Sequence, residues 1–546
     1  MSLAPTLGST VARRRRLHEQ YASFSGLTDA SRLAFLHGQR VALSADDLAT
    51  AWDAAPAQWG GSEVRTHLYV HVPFCKSICT FCNYVRLRPA SKDALDDYVE
   101  RVCAQIAHIA PHARHLEVSS IYFGGGTPSV LAADQLDRVM TALDTSFRFH
   151  PDTGRHLEFD PAVLTKEKLD VAVSHGFRRY SFGIQSLDEA VNVAHNRGAQ
   201  SRTLLQRRFD DLRAAKVDER SCDILLGLAG TEPAQMVDEI GELLRSYQPD
   251  LVNVFMLTPT QTYIDAHFDG DPERFWSHLR RFEHEALPRL GEVADAGGYE
   301  HQQGGGHVVR LARRGRKMSR RFRTYTPLSH LQGMPVNVLA FGPSARGSIY
   351  GALQFQHMQG ADGWFTEGYR LTLEDEARSH LCMELRDEDQ IDPVLFRRLH
   401  QTDFVSRFPL AAAVLAEAGL FDGEWGFRPQ PRLERTRALM WLVDEERIEE
   451  EVSRHLNCDL RAEGVARWLH PLRPGQALPG GTVIDRFEDR RVFLRQGTAL
   501  LGLRLAPPWQ EGETPRVIAL TSDLDAPAAA WVRDVRVLQR LMERNR

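Results

Sequence analysis

The 546-residue sequence predicts an α/β protein: parallel strand–helix units curling into a full or partial TIM-type barrel, followed by a helical appendage and an extra C-terminal α+β module. Three observations lead there. Six short apolar runs, each followed by a helix-sized amphipathic stretch, begin just after the turn-prone Trp59-Gly60-Gly61-Ser62. Strands alternating with helices pair in parallel, and their right-handed crossovers curl the sheet. Nearly every chemically suggestive motif lies at or just after the C-terminal end of one of those runs, where such barrels keep their active sites.

In chain order, residues 1–62 read as an N-terminal helical extension, in which Arg13 to Arg16 form a solvated helix face. A barrel domain is expected over 63–365. Its strands are Thr66 to Val72, Ser119 to Phe123, His156 to Phe159, Arg179 to Gly183, Cys222 to Leu226 and Leu251 to Leu257. Beyond Thr260 a helical stretch runs to about Gly298, and the basic segment Gly304 to Arg323 reads as a loop. Residues 366–456 are helix-rich, with Gly419 ending one helix before Leu420. Residues 457–546 read as an α+β module: strand-like runs at Thr482 to Phe487, Arg491 to Arg495 and Ala499 to Leu505, closed by an amphipathic helix from Pro527 to Met542.

Composition narrows the function. Lys and Arg total 67 against 72 Asp and Glu, a net charge of -5 with no basic arm, which argues against a nucleic-acid partner. No stretch approaches the roughly 20 apolar residues of a membrane span, and the first thirty residues lack the form of a secretory signal, so no membrane partner and a cytoplasmic location are expected. Seven cysteines are too few for a disulfide scaffold, yet three crowd into eight positions, which in a reducing compartment points to metal. Cys103, Cys222, Cys382 and Cys458 read as small buried hydrophobes.

The crowded three lie in Tyr69-Val-His-Val-Pro-Phe-Cys75-Lys-Ser-Ile-Cys79-Thr-Phe-Cys82, directly after the first strand. Three thiolates so spaced can each take one iron of a cubane and leave the fourth iron without a protein ligand. Such an open iron can chelate the amino and carboxylate groups of S-adenosylmethionine for reductive cleavage. Structural zinc wants four ligands, and no Cys or His follows Cys82 at customary spacing. At the second strand end, Tyr122-Phe-Gly-Gly125-Gly126-Thr127-Pro lets backbone approach a ligand, although a Gly-Gly-Gly run by itself is a turn. Glu158, in Leu-Glu-Phe-Asp-Pro, ends the third, and Asp223 interrupts an apolar strand, where a carboxylate needs bonding partners such as hydroxyls.

Cys75-x3-Cys79-x-Phe81-Cys82 resembles the radical S-adenosylmethionine superfamily, and Tyr69-x-His71-x-Pro73-Phe74 is similar to its oxygen-independent coproporphyrinogen III oxidase-like branch. The likeness runs from about Tyr69 to Met440. It implies a [4Fe-4S] cluster on Cys75, Cys79 and Cys82, one or two molecules of S-adenosylmethionine, and a reductant such as flavodoxin or ferredoxin. It also implies that Tyr69 helps hold the cofactor near the cluster, Phe81 contacts its adenine, and the segment with Gly125, Gly126 and Thr127 binds its amino group. By the same resemblance, Glu158 bonds the ribose or methionine part, Arg197 pairs with the carboxylate as Arg forks do, Gln185 and Asp223 contact the cofactor, and Leu225 lies by a second cofactor molecule. Ala340-Phe-Gly-Pro-Ser-Ala345 resembles the strand end that closes the family's active site.

One departure bears on the reaction. The branch's decarboxylases carry a further cysteine in a Cys-Gly-Cys run, whereas Cys82 is followed here by Asn83-Tyr84-Val85. The leading expectation is therefore methyl or methylene transfer to an unsaturated aromatic or heteroaromatic carbon, as in the class C methyltransferase relatives and the cyclopropanases of natural-product biosynthesis. Tetrapyrrole chemistry, whether porphyrinogen decarboxylation or anaerobic heme modification, is the alternative, and a heme carrier the third reading. The small-molecule partner is accordingly an aromatic or tetrapyrrole substrate.

Overall fold

The computed structural model describes residues 39–303 except 199 and 259, together with 308–316, 330–331, 334–360, 363–387, 392–409, 412–413, 416, 419, 421, 475, 483–488, 491–496, 499–505 and 517–521. Gln39–Thr372 forms one compact unit, and the described residues from Leu373 onward belong to another. The basic run at Arg13, the end of the helix-rich segment beyond 421, and the helix expected over 527–542 lie outside the described residues.

The first unit opens with β1 (Gln39–Leu43), α1 (Ala45–Asp53) and a short hairpin, β2 (Gln58–Trp59) and β3 (Ser62–Glu63). Strand–helix alternation follows: β4 (Arg65–Val72), α2 (Lys92–Ile109), β5 (Glu117–Gly125), α3 (Ala133–Ser146), β6 (Arg148–Phe159), α4 (Lys166–Ser174) and β7 (Arg179–Gln185). It continues through α5 (Glu189–Ala194), α6 (Arg202–Ala214), β8 (Glu219–Leu226), α7 (Pro233–Glu242), β9 (Leu251–Met256), α8 (Gln261–His267), α9 (Pro272–Arg281) and α10 (Leu290–Gly297). The unit ends in β10 (Tyr299–Gln303), β11 (Val308–Arg313), β12 (His330–Leu331), β13 (Met334–Phe341), β14 (Arg346–Ile349), β15 (Leu353–Gly360) and β16 (Gly363–Arg370).

These strands form one mixed sheet in the order β1-β16-β15-β14-β13-β4-β5-β6-β7-β8-β9-β11-β10, with β12 paired to β13. All six expected strands are present, parallel and adjacent in chain order, and β13 joins them in parallel beside β4. Among the described residues the sheet path ends in antiparallel strands on both flanks. Where a loop is expected over 304–323, the described part contains β11, paired with β9 and β10. The compact unit also starts at 39 rather than 63, because β1 pairs with β16.

Side-chain caps set the helix starts: Ser91 accepts from Ala94 N, Thr165 from Lys168 N and Ser201 from Leu204 N. Gly298 stops α10 in the left-handed conformation, at φ +81°. Alternation along the strands gives the sheet two characters. Leu68, Val70 and Val72 of β4 are fully buried in the same core as Val99, Val102 and Ile106 of α2 and Leu136, Val139 and Met140 of α3. The opposite face is polar, and its groups bond across strands: His67 Nδ1 with Ser120 Oγ at 2.6 Å, His156 Nε2 with Ser181 Oγ at 2.8 Å, and Asn253 Nδ2 to Asp223 Oδ1 at 2.6 Å.

In the second unit lie α11 (Leu373–Asp387), α12 (Pro393–His400) and α13 (Phe404–Arg407), then an antiparallel sheet of β17 (Val483–Glu488), β18 (Arg491–Gln496), β19 (Ala499–Leu505) and β20 (Val517–Thr521) in that order. The first three of those strands coincide with the expected runs; β20 is additional. No helix among the described residues is long and apolar enough to cross a membrane.

Candidate active site

The loop carrying the three cysteines is closed at its base by β-type pairing. Phe74 bridges Leu87, Cys75 N donates to Leu87 O at 2.9 Å, and Leu87 N donates to Pro73 O at 2.7 Å. Inside the loop, Cys82 N donates to Cys79 O at 3.2 Å. Its far side is gripped from α5 and α8. Asn196 Nδ2 donates to Ile78 O at 2.7 Å, Thr80 N donates to His195 O at 3.1 Å, and His267 Nε2 lies 2.9 Å from Thr80 Oγ1. His195 stacks on His267 with ring centroids 4.6 Å apart, and its Nε2 meets the Tyr263 hydroxyl at 2.9 Å. Phe81 packs against His195 at 6.1 Å.

Cys79 is buried, and Cys75 and Cys82 are half-buried. Burial pushes the Cys75 and Cys79 thiols up, and the neighbouring charge of Cys82 adds to it, while the Thr127 hydroxyl beside Cys75 and the Arg197 guanidinium beside Cys79 oppose it. Three mutually close thiols on one loop fit a cubane with one open iron. Among the described residues no group of three or more His, Cys, Asp or Glu converges on a single ion, a convergence that thiolates bound to separate irons do not require.

The glycine-rich strand end packs directly on this loop. Gly126 N donates to Val72 O at 2.7 Å, and a Cβ on Gly126 would stand 2.8 Å from Phe74 O and 2.9 Å from Cys75 Sγ. Gly125, at φ +113°, lies against the His71 ring, and Thr127 Oγ1 donates to Cys75 Sγ at 3.5 Å. Glu158 ties the segment down, accepting from Gly125 N at 3.3 Å and from the Tyr122 hydroxyl. Tyr69 reaches the same corner through His71, its hydroxyl 2.7 Å from Nδ1. Burial lowers the His71 imidazole to about 4 and raises the Tyr69 phenol well above its ordinary value, so both are neutral at pH 7.

On the next strands, Arg197 Nη2 donates to Gly183 O at 2.8 Å, and Arg197 Nη1 pairs with Asp160 at 3.3 Å. Gln185 follows on the same strand, in a bulge and with a left-handed backbone at φ +69°. Asp223 stands opposite Gly183 in register, and Leu225 extends that row toward the strand end. The expected residues thus fall on consecutive strand ends. Cys75, Cys79, Phe81, Gly125, Gly126, Thr127, Glu158 and Arg197 are linked by direct contacts or single neighbours, whereas Leu225 lies farther along β8 and packs against the core.

Besides the His195, Tyr263 and His267 stack behind the loop, two polar partners of expected residues are additional. Asp160, two positions after Glu158, is the ion partner of Arg197, and Asn253 is the hydrogen-bond partner of Asp223. Asn253 carries the signal that marks Asp223, a polar residue inside an apolar run, Leu-Val-Asn-Val-Phe-Met. Asp223→Ala removes the acceptor at Asn253 and is expected to weaken S-adenosylmethionine binding by about 1 to 3 kcal/mol. Equilibrium binding to the cluster-loaded protein measures it, and an unchanged affinity places Asp223 outside the cofactor site.

Residues 69–244 match the model of the radical SAM superfamily. Oxygen-independent coproporphyrinogen III oxidase of Paracoccus denitrificans (strain Pd 1222) is 26% identical over 381 residues, covering 67% of this chain and 83% of that protein. Anaerobilin synthase of Escherichia coli O157:H7 is 31% identical over 227 residues, 40% of this chain and 48% of that protein. The solved structure of coproporphyrinogen III oxidase from Escherichia coli, a radical SAM enzyme, shares the fold with a TM-score of 0.60 at 22% identity, covering 73% of this chain and 94% of that one.

Proposed function

Because the chain belongs to the radical SAM superfamily, on its oxygen-independent coproporphyrinogen III oxidase-like branch, we propose that it cleaves S-adenosylmethionine at a [4Fe-4S] cluster and directs the radical chemistry onto a tetrapyrrole. The observation that carries this reading is the loop of Cys75, Cys79 and Cys82 packed against Gly126 and Arg197, in a chain whose relatives are named for tetrapyrrole substrates. Those relatives reverse the ranking drawn from Asn83-Tyr84-Val85, which put carbon methylation first.

A [4Fe-4S] cluster held by Cys75, Cys79 and Cys82 would supply the one-electron reductive cleavage of S-adenosylmethionine, and with it hydrogen abstraction from the substrate. The chain's own residues bind and orient. The Arg197 fork suits the cofactor's carboxylate. Backbone at Gly125 and Gly126, where no side chain intervenes, suits its amino end, and Asp223 with Asn253 suits ribose hydroxyls. His71 and Tyr69, both neutral, add no charge to the corner they form beside the glycine-rich strand end. The electron comes from a carrier such as flavodoxin or ferredoxin.

Methyl transfer is the second reading, favoured by Tyr84 standing where the decarboxylases carry their extra cysteine. The two differ in products. Anaerobic reconstitution with iron and sulfide, then reaction with dithionite, S-adenosylmethionine and a porphyrinogen, is expected to give substrate-dependent 5′-deoxyadenosine and carbon dioxide without S-adenosylhomocysteine. S-adenosylhomocysteine formed in step with an aromatic substrate would select methyl transfer and a second cofactor molecule. Stoichiometric heme binding with neither product would indicate a carrier.

A further inference from the structure

The turn that follows Gln185 is bonded to a carboxylate on a helix, away from the site. Glu239 of α7 is 6% exposed. Its Oε2 accepts from Ser186 Oγ at 2.7 Å and from Leu187 N at 2.6 Å, and its Oε1 accepts from Gln235 Nε2 at 2.9 Å. Ser186, itself fully buried, passes the linkage on: its carbonyl accepts from Asn192 Nδ2 at 2.7 Å, and the carbonyl of Asn192 accepts from Arg197 N at 2.9 Å. One buried carboxylate therefore fixes the turn that begins at Gln185 and, through Asn192, the backbone of Arg197.

Two physical points make this more than packing. Gln185 holds a left-handed backbone without being glycine, a conformation that persists only where its surroundings over-determine it. A buried carboxylate is costly, and a hydrophobe of similar volume would fill the position at less cost if filling were all that was needed. Its three donors come from the Ser186 turn and its own helix, and the turn's neighbours are the two residues assigned here to the cofactor.

We propose that Glu239 is a positioning residue for the S-adenosylmethionine site, holding Gln185 and Arg197 in their binding geometry through Ser186 and Asn192. This rests on the reading that those two residues contact the cofactor. The test uses the reconstituted full chain and three variants: Glu239→Met, which removes both acceptor oxygens at similar volume; Glu239→Gln, which can keep one oxygen toward Ser186 and Leu187; and Arg197→Lys, which breaks the fork. Iron and sulfide content and the electron paramagnetic resonance of the reduced cluster report its assembly. The change in that signal on titrating S-adenosylmethionine reports affinity.

Glu239→Met is expected to load a full cluster yet bind the cofactor roughly tenfold more weakly, which corresponds to the loss of one well-placed hydrogen bond. Glu239→Gln is expected to recover most of that affinity. The double variant with Arg197→Lys should lose less than the two single losses combined, because both act on the same contact. Wild-type affinity in Glu239→Met, or loss of cluster and thermal stability together in both Glu239 variants, would overturn the positioning role. Wild-type affinity in Arg197→Lys would instead overturn the cofactor assignment on which it rests, so the two failures are told apart.

Discussion

Cys79→Ala is expected to give a protein that folds, carries far less than one full cluster after reconstitution, and forms no detectable 5′-deoxyadenosine. Folding should survive because the loop is held by bonds that need no thiol: Cys75 N to Leu87 O, Asn196 to Ile78 O, and Thr80 to both His195 and His267. The cluster should not survive, because each thiolate takes one iron and Cys79 is the most buried of the three, with no other cysteine of the loop free to replace it. Iron content, the cluster's visible absorption and product mass spectrometry check the three parts separately. A full cluster in Cys79→Ala would move the ligand set away from this loop.

Gly126→Ala is the second large effect expected. The added methyl would stand 2.8 Å from the Phe74 carbonyl oxygen and 2.9 Å from both the Pro73 carbonyl carbon and Cys75 Sγ. Two of those neighbours are backbone, pinned by the Leu87 pairing, so the strain cannot be relieved by turning a side chain. Overpacking of this kind costs about 1 to 3 kcal/mol, and the displacement falls on a cluster ligand. Lower thermal stability with poor cluster loading is the expected pair of results. Gly61→Ala, at a glycine with nothing within 4 Å, serves as a control for loading; its φ of +75° makes some loss of stability expected there too.

How much of this was legible in the sequence follows from where each group lies. The six parallel strands stand out because their core-facing residues recur in short runs, each followed by a helix-sized amphipathic stretch. Leu-Gln-Phe-Gln-His-Met-Gln-Gly of β15 and Val-Val-Arg-Leu-Ala-Arg of β11 are flanking antiparallel strands with mixed polarity, paired with their chain neighbours β16 and β10, and they lack the apolar run followed by a helix that marks the parallel strands. The cysteine loop, the glycines, Glu158 and Asp223 were readable because spacing and an out-of-place polarity survive in one dimension. Asp160, beside Glu158, passed as one more strand-end carboxylate. Glu239 reads as the polar face of an amphipathic helix, and His195, Tyr263 and His267 read as ordinary helix residues, until folding brings them beneath the loop.

The order of the strands also sets a timetable. The site collects its residues in sequence from Tyr69 on β4 to Asn253 on β9, so the three thiols leave the ribosome well before the groups that will face them. At about 5 to 20 residues per second, the loop waits on the order of ten seconds or longer for Arg197, Asn253 and the Tyr263 stack to be made. During that interval it is a bare trithiol with no guanidinium beside it and no ring stack behind it. Iron and sulfide delivered to the nascent chain would meet a flexible chelator; delivered after release, they meet a socket already shaped.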